Sequence, residues 1–188
     1  MGNSVIKGKW YSEIMTNILI FGPSRAGKTY LTGIFRQHDL PAFDIEKEPG
    51  IIGWRNDDDG QLISRKPNPP TKEWLATHHF MMDRQAMARF LDEHPESIVF
   101  AHCWNIMKCL DLFDEVYFMY LSPEEIERRM RLKRDDHKWQ GSDVEVAFMK
   151  ERHAQRLEEV DNLGIPKLDV SGSGEETYQA FLSLRKGV

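Results

Sequence analysis

Asn17-Ile-Leu-Ile-Phe-Gly-Pro-Ser-Arg-Ala-Gly-Lys-Thr29 decides the fold. Ile18, Leu19, Ile20 and Phe21 form an apolar run of the length expected for a buried parallel strand, and residues 30–38 read as the helix behind it. Between them lies Gly-x-x-x-x-Gly-Lys-Thr, from Gly22 to Thr29. A chain of this length meets those fixed residues by chance roughly once in a hundred, and here the flanking strand and helix are present as well. Gly22 and Gly27 permit the tight turn that aims backbone N–H groups inward, where they and the helix start hold phosphate oxygens. Pro23, Ser24, Arg25 and Ala26 complete the cradle, Arg25 as a further phosphate contact. Lys28 has the reach for β/γ-phosphates, and the Thr29 hydroxyl suits Mg²⁺. The expected ligand is a nucleoside triphosphate.

Further apolar runs at 42–45, 98–102, 116–121 and 167–170 alternate with helical patterns at 30–38, 84–94, 122–134, 143–163 and 174–184. Ser122-Pro123-Glu124-Glu125 supplies an N-cap, proline at the first helical position and acidic residues in the first turn. Strands and helices alternating in this way predict an α/β domain with a parallel sheet covered on both faces. Right-handed crossovers make it a doubly wound, three-layer α/β/α sandwich. Residues 47–71, rich in Pro, Gly, Asn and Asp, read as a long functional loop. The 143–163 helix is mostly polar and reads as a solvated face.

The composition narrows the class. The chain has 188 residues, which suits one domain, and a net charge of −5, which gives no basic footprint for nucleic acid. No stretch approaches a membrane span. Cys103 and Cys109 fit a reduced, cytoplasmic protein and lack zinc-site spacing. Residues 1–14 precede the first core strand and are expected to be an N-terminal extension or expression remnant. Residues 15–188 are then the working domain, as monomer or homodimer.

A guanine-reading Asn-Lys-x-Asp is absent, and Asp57-Asp58-Asp59-Gly60 follows no strand. The 98–102 strand ends in His102-Cys103-Trp104-Asn105 without the carboxylate expected of a motor ATPase. The acid must come from elsewhere, and Asp44 and Glu46 supply it at the end of the second strand, where open α/β sheets place ligands. Alternation along that strand puts both on one face. Asp44 is the candidate proton acceptor or magnesium organiser; a turn-capping role is the alternative.

These features together resemble the small P-loop kinases, the adenylate, shikimate and gluconate kinase group. The resemblance rests on Gly22 to Thr29, the acidic pair after strand two, and an Arg-rich helix before a short lid. It is closer still to bacterial shikimate-kinase-like ATP-binding proteins, through Phe-Asp-x-Glu, Pro-Gly-x-x-x-Trp, Trp-Leu and His-x-x-x-Asp. It implies sheet order 2-3-1-4-5, ATP and Mg²⁺ as cofactors, and a lid near 134–142. It also implies that arginines at the helix end, Arg131 and Arg134, clamp phosphates and neutralise transferred charge. The Gly-rich turn of shikimate kinase after strand three is replaced by Ala101 to Asn105, which argues against shikimate itself.

For the acceptor side, an insertion over about 47–83 offers Trp54 as a stacking platform, Arg55, and the pair His79 and Asp83, which share a face if helical. Glu46 and Asn105 join them. Packing roles are the alternative for Trp54, His79 and Asn105. The expected activity is ATP-dependent phosphorylation of a nucleoside, nucleotide or polyhydroxylated metabolite. A nucleotide-binding regulatory module and a polynucleotide 5′-end kinase are the alternatives.

Overall fold

The computed structural model describes residues 16–64, 67, 70–135 and 143–186, with backbone alone at 133–135 and 144–145. The elements run β1 (Ile18–Phe21), α1 (Lys28–Gln37), β2 (Ala42–Asp44), β3 (Ile52–Asn56), α2 (Lys72–Thr77), β4 (His78–Met82) and α3 (Arg84–Glu93). Then follow β5 (Ile98–Ala101), β6 (Glu115–Tyr120), α4 (Pro123–Asp135), α5 (Asp143–Asn162), β7 (Lys167–Asp169) and α6 (Gly174–Lys186).

Five strands form one parallel sheet in the order β2-β5-β1-β6-β7, which is 2-3-1-4-5 once β3 and β4 are set aside. Central β1 pairs on both sides, Ile18 opposite Ile98 and Glu115, so all four of its side chains are buried. Alternation along β1 sends Ile18 and Ile20 into one core and Leu19 and Phe21 into the other. In the first core Phe35 of α1 meets Phe100, Tyr178 and Phe181 at ring distances of 5.2, 5.3 and 5.1 Å. The second core gathers Met87, Phe90 and Leu91 of α3 with Phe118 and Val160. An apolar strand flanked on both faces by helices is the arrangement its residue content predicts.

The segment expected to be one long loop is different. Ile52–Asn56 pairs antiparallel with His78–Met82, Trp54 opposite Phe80 and Arg55 opposite His79. Asp57 to Gly60 is the turn leaving β3, with Gly60 at φ 67°. Only two apolar residues alternate in β3, Ile52 and Trp54, beside a glycine, an arginine and an asparagine, so local propensity is weak. The strand forms through cross-strand aromatic pairing and docking, which a local pattern does not register. The lid expected near 134–142 lies outside the described residues, apart from the last turn of the α4 backbone.

Candidate active site

β1 delivers the glycine loop to the carboxyl edge of the sheet. A Cβ on Gly22 would lie 2.6 Å from Met119 Cβ, so only glycine lets the loop leave the sheet this closely over β6. Gly27, at φ 96°, turns the chain into α1, and its left-handed backbone excludes a side chain at little cost. No side chain caps α1, so the first-turn N–H groups keep the positive end of the helix uncovered. Arg129 of α4 braces the loop from behind. Its guanidinium donates to the carbonyls of Ala26 at 3.3 Å and Val170 at 2.9 Å, and pairs with Glu125 at 2.7 Å.

Lys28 is 7% exposed; its ammonium donates to the Pro23 carbonyl at 3.1 Å and pairs with Glu46 at 3.3 Å. The Thr29 hydroxyl donates to Asp44 Oδ2 at 2.5 Å. Asp44 Oδ1 is buried with no hydrogen-bond partner among the described residues, and Lys47 lies 3.8 Å from Oδ2. The expected shared strand face of Asp44 and Glu46 is not what joins them. β2 stops at Asp44, and residues Ile45–Lys47 wind into a 3-10 turn. That turn separates the two carboxylates: Asp44 lies beneath Thr29, and Glu46 borders a cavity beside Lys28.

That cavity, of about 330 Å³, runs from Gly22, Pro23 and Ser24 to the hairpin. This is the size of a site for a single small molecule. Trp54, His78, His79 and Phe80 border it from the hairpin side. Trp54 sits against Trp74 and Phe80, at ring distances of 4.9 and 5.7 Å. Trp104, just past β5, stacks on His79 at 3.7 Å and carries the Arg152 guanidinium 3.7 Å from its ring centre.

The opposite wall comes from α5, the helix read as a solvated face. Met149, His153, Arg156 and Val160 are spaced 4, 3 and 4 residues apart, an inward stripe in which two members are polar. His153 and Arg156 are both more than nine-tenths buried. Neither His153 ring nitrogen has a hydrogen-bond partner among the described residues, and Arg152 Nε lacks one too. Arg156 donates to the Trp104 carbonyl at 2.9 Å and lies 2.8 Å from Glu159, close enough to pair but not aligned to hydrogen-bond. Burial pushes the Arg156 guanidinium and the His153 ring down from their ordinary ranges. His102 borders the cavity and is half-buried. Burial first, then the positive charges of Lys28, Arg156 and Arg152, push its ring down to about 3, against a hydrogen bond to the Gly22 backbone.

The remaining expected residues fall outside these roles. Arg131 is 74% exposed and paired with Glu127, so it points away from the cavity. The Arg134 side chain lies outside the described residues. His79 and Asp83 do not share a helix: His79 is on β4, and Asp83 caps α3, accepting from Gln85 and Ala86 N–H at 3.0 Å. Arg55 pairs with Asp83 at 3.4 Å and donates to the Gly60 carbonyl at 3.1 Å. The Asn105 amide is committed to Met82, accepting from its N–H at 2.8 Å and donating to its carbonyl at 2.9 Å, so it docks the hairpin onto the sheet. Burial raises the Cys103 thiol far above its ordinary range, which makes it inert.

No protein-family model matches the chain, and no curated protein matches it in sequence. Solved structures do match. A shikimate kinase from Bacteroides thetaiotaomicron superposes with a TM-score of 0.55 at 15% identity, over 90% of this chain and 98% of that one. A gluconokinase from Sinorhizobium meliloti 1021 gives 0.50 at 16%, over 90% and 91%. A deoxyadenosine kinase from M. mycoides, with bound dATP, gives 0.50 at 14%, over 90% and 99%. At these identities the likeness is one of architecture. Five parallel strands in this order, with a glycine loop leading from the central strand into α1, are the fold of the small P-loop kinases.

Proposed function

We propose that this protein transfers the γ-phosphate of ATP to a small hydroxyl-bearing acceptor held in the aromatic cavity. One observation carries the reading: the glycine loop, Glu46 and the aromatic walls border a single cavity. A phosphate cradle and a room for a second molecule are thereby contiguous, which is the geometry that in-line transfer needs.

The residues divide the work by position. The loop N–H groups and α1 start receive phosphate oxygens. Lys28 leaves Glu46 to meet them, since a triphosphate carries more charge than one carboxylate. Glu46, released and bordering the cavity, accepts the acceptor's hydroxyl proton as its oxygen attacks phosphorus. Thr29 and Asp44 fit a magnesium ion: a hydroxyl held in place, and a buried carboxylate oxygen with no protein partner that suits a metal-bound water. Among the described residues no cluster of three or more His, Cys, Asp or Glu would hold a metal, so protein ligands are few and phosphate and water complete the shell. When bound, magnesium neutralises charge on the transferred phosphoryl. Arg134 remains the proposed lid cation.

A metabolite-library screen for acceptor-stimulated ADP release tests the reading, with Lys28→Ala as control. The expected result is stimulation by at least one hydroxyl compound, abolished in a Lys28→Ala protein of unchanged circular dichroism. Equal ADP release in both proteins refutes it. ATP binding without stimulation by any compound favours a regulatory nucleotide binder.

A further inference from the structure

We propose that Asp57 and His79 form a carboxylate–imidazole pair that reads the acceptor, His79 Nε2 accepting a hydrogen bond from a hydroxyl or ring N–H of a flat, ring-bearing molecule. The inference rests on the kinase reading and adds to it the acceptor's chemical class.

His79 lies on β4 and is 6% exposed, bordering the cavity. Its Nδ1 sits 2.8 Å from both oxygens of Asp57, in the turn after β3. A carboxylate only accepts, so Nδ1 carries a proton, and the tautomer that this contact selects has its lone pair on Nε2. Nε2 makes no hydrogen bond among the described residues, and it is not enclosed as the His153 nitrogens are. The ring is held in its plane by Trp104, stacked at 3.7 Å with 27° between planes. A ring fixed by a carboxylate at one nitrogen and an indole on its face presents the other nitrogen in one direction.

The neighbourhood sets what that nitrogen meets. Trp54, Phe80, Trp104 and Phe148 give the cavity flat apolar surfaces, which favour a planar body over an extended chain. Behind His79 stands the Asp57 carboxylate, and across the cavity the Glu46 carboxylate. At Nε2 itself an anionic group meets a lone pair backed by the Asp57 carboxylate, whereas a hydroxyl or N–H donor meets an acceptor. Arg152 lies against the Trp104 ring that stacks on His79, and Arg156 donates to the Trp104 carbonyl, so any acid group on the acceptor is placed beside these two cations. Asp57 touches no acceptor; it is a positioning residue.

Two arms test the pair. In the full chain labelled with ¹⁵N-histidine, at mildly alkaline pH, the imidazole correlation spectrum of His79, assigned by its loss in His79→Phe, reports which nitrogen is protonated. Protonated Nδ1 with bare Nε2 is expected, shifting towards the other tautomer in Asp57→Ala; protonated Nε2 in the wild type overturns the proposal. In the second arm, kcat and KM are measured with the hydroxyl compound that gives the largest ADP release in the library screen. His79→Phe, which keeps a stacking ring, raises acceptor KM on the order of tenfold or more and leaves ATP KM unchanged. His79→Gln recovers part of that loss, and Asp57→Ala raises acceptor KM severalfold. An unchanged acceptor KM in His79→Phe with a wild-type melting temperature overturns the proposal. A library silent on the wild type refutes the kinase reading instead, and the tautomer arm still decides the pair.

Discussion

Replacing Asp44 by asparagine moves stability and catalysis in opposite directions if the carboxylate exists for a magnesium-bound water. In the free protein Asp44 is 5% exposed, Oδ2 accepts from Thr29 at 2.5 Å, and Oδ1 is enclosed with no partner. A buried polar atom left without a partner costs about 1–3 kcal/mol. Lys47 offsets little of this, lying 3.8 Å from the other oxygen with an exposed side chain. Asparagine keeps the shape and an acceptor for Thr29 and removes the buried charge, while its NH₂ takes the unpartnered place of Oδ1, so any gain comes from the charge alone. The free Asp44→Asn protein should therefore match the wild type or exceed it by about 1 kcal/mol, which for a chain of this size is about 2–4 °C in Tm. Phosphoryl transfer should fall by on the order of 10²-fold, about 2.7 kcal/mol of barrier. Mg·ATP at a hundred times its Kd stabilises by about 2.7 kcal/mol, and that gain should shrink in the variant and return partly as Mg²⁺ is raised. The assay is thermal melting with and without Mg·ATP, alongside turnover on the same samples. A variant that melts lower without ligand yet transfers phosphate at close to the wild-type rate refutes the reasoning and makes Asp44 a turn residue.

Gly22→Ala places a methyl 2.6 Å from Met119 Cβ, so the loop or β6 must shift. An overpacking cost of about 1–3 kcal/mol is expected, seen as a lower Tm together with weaker ATP binding; a wild-type Tm would show that the loop has slack. Stability should also fall on acidification. The folded His102 ring titrates at about 3 and its unfolded counterpart at about 6.5, so the unfolded chain binds the extra proton first. The stabilisation is complete above pH ~6.5 and is lost as pH falls from there towards 3. His102→Gln should flatten that limb in denaturant titrations, leaving the smaller contribution of His153, which burial pushes the same way; an unaltered slope contradicts it.

The glycine-loop half of the fold is legible because its signals are local. Gly22 to Thr29 needs only its own residues and the strand before it; alternation and handedness give a parallel, doubly wound sheet, and its strand order is the one that the resemblance to the small P-loop kinases implies. Most element ends moved by a residue or two, as at β2, where the 3-10 turn begins one residue after Asp44. The shared strand face expected of Asp44 and Glu46 is absent, because β2 ends at Asp44 and the 3-10 turn sets the two carboxylates apart. The acceptor half was mostly hidden. Trp104 follows a strand with no pattern of its own, and its partners are 25 and 48 residues away in sequence, at His79 and Arg152. His153 and Arg156 had a signal, the 149-153-156-160 stripe, but polar residues on a polar helix read as solvated. The Asp57–His79 contact joins the turn after β3 to β4, whereas a spacing of four in the sequence points to Asp83.

The docking of the hairpin has a consequence for how such a scaffold changes its chemistry. The sheet grips β4 by main-chain atoms: Trp104 N–H donates to the Phe80 carbonyl at 2.7 Å, and the Asn105 amide holds the Met82 N–H and carbonyl. None of these bonds asks for a particular side chain at 80 or 82. The hairpin is thus mounted on the sheet whatever side chains residues 80 and 82 carry, whereas the glycine loop and its Arg129 brace belong to the chassis. On the proposed function, a change of acceptor falls on the hairpin residues that border the cavity and leaves the glycine loop as it is.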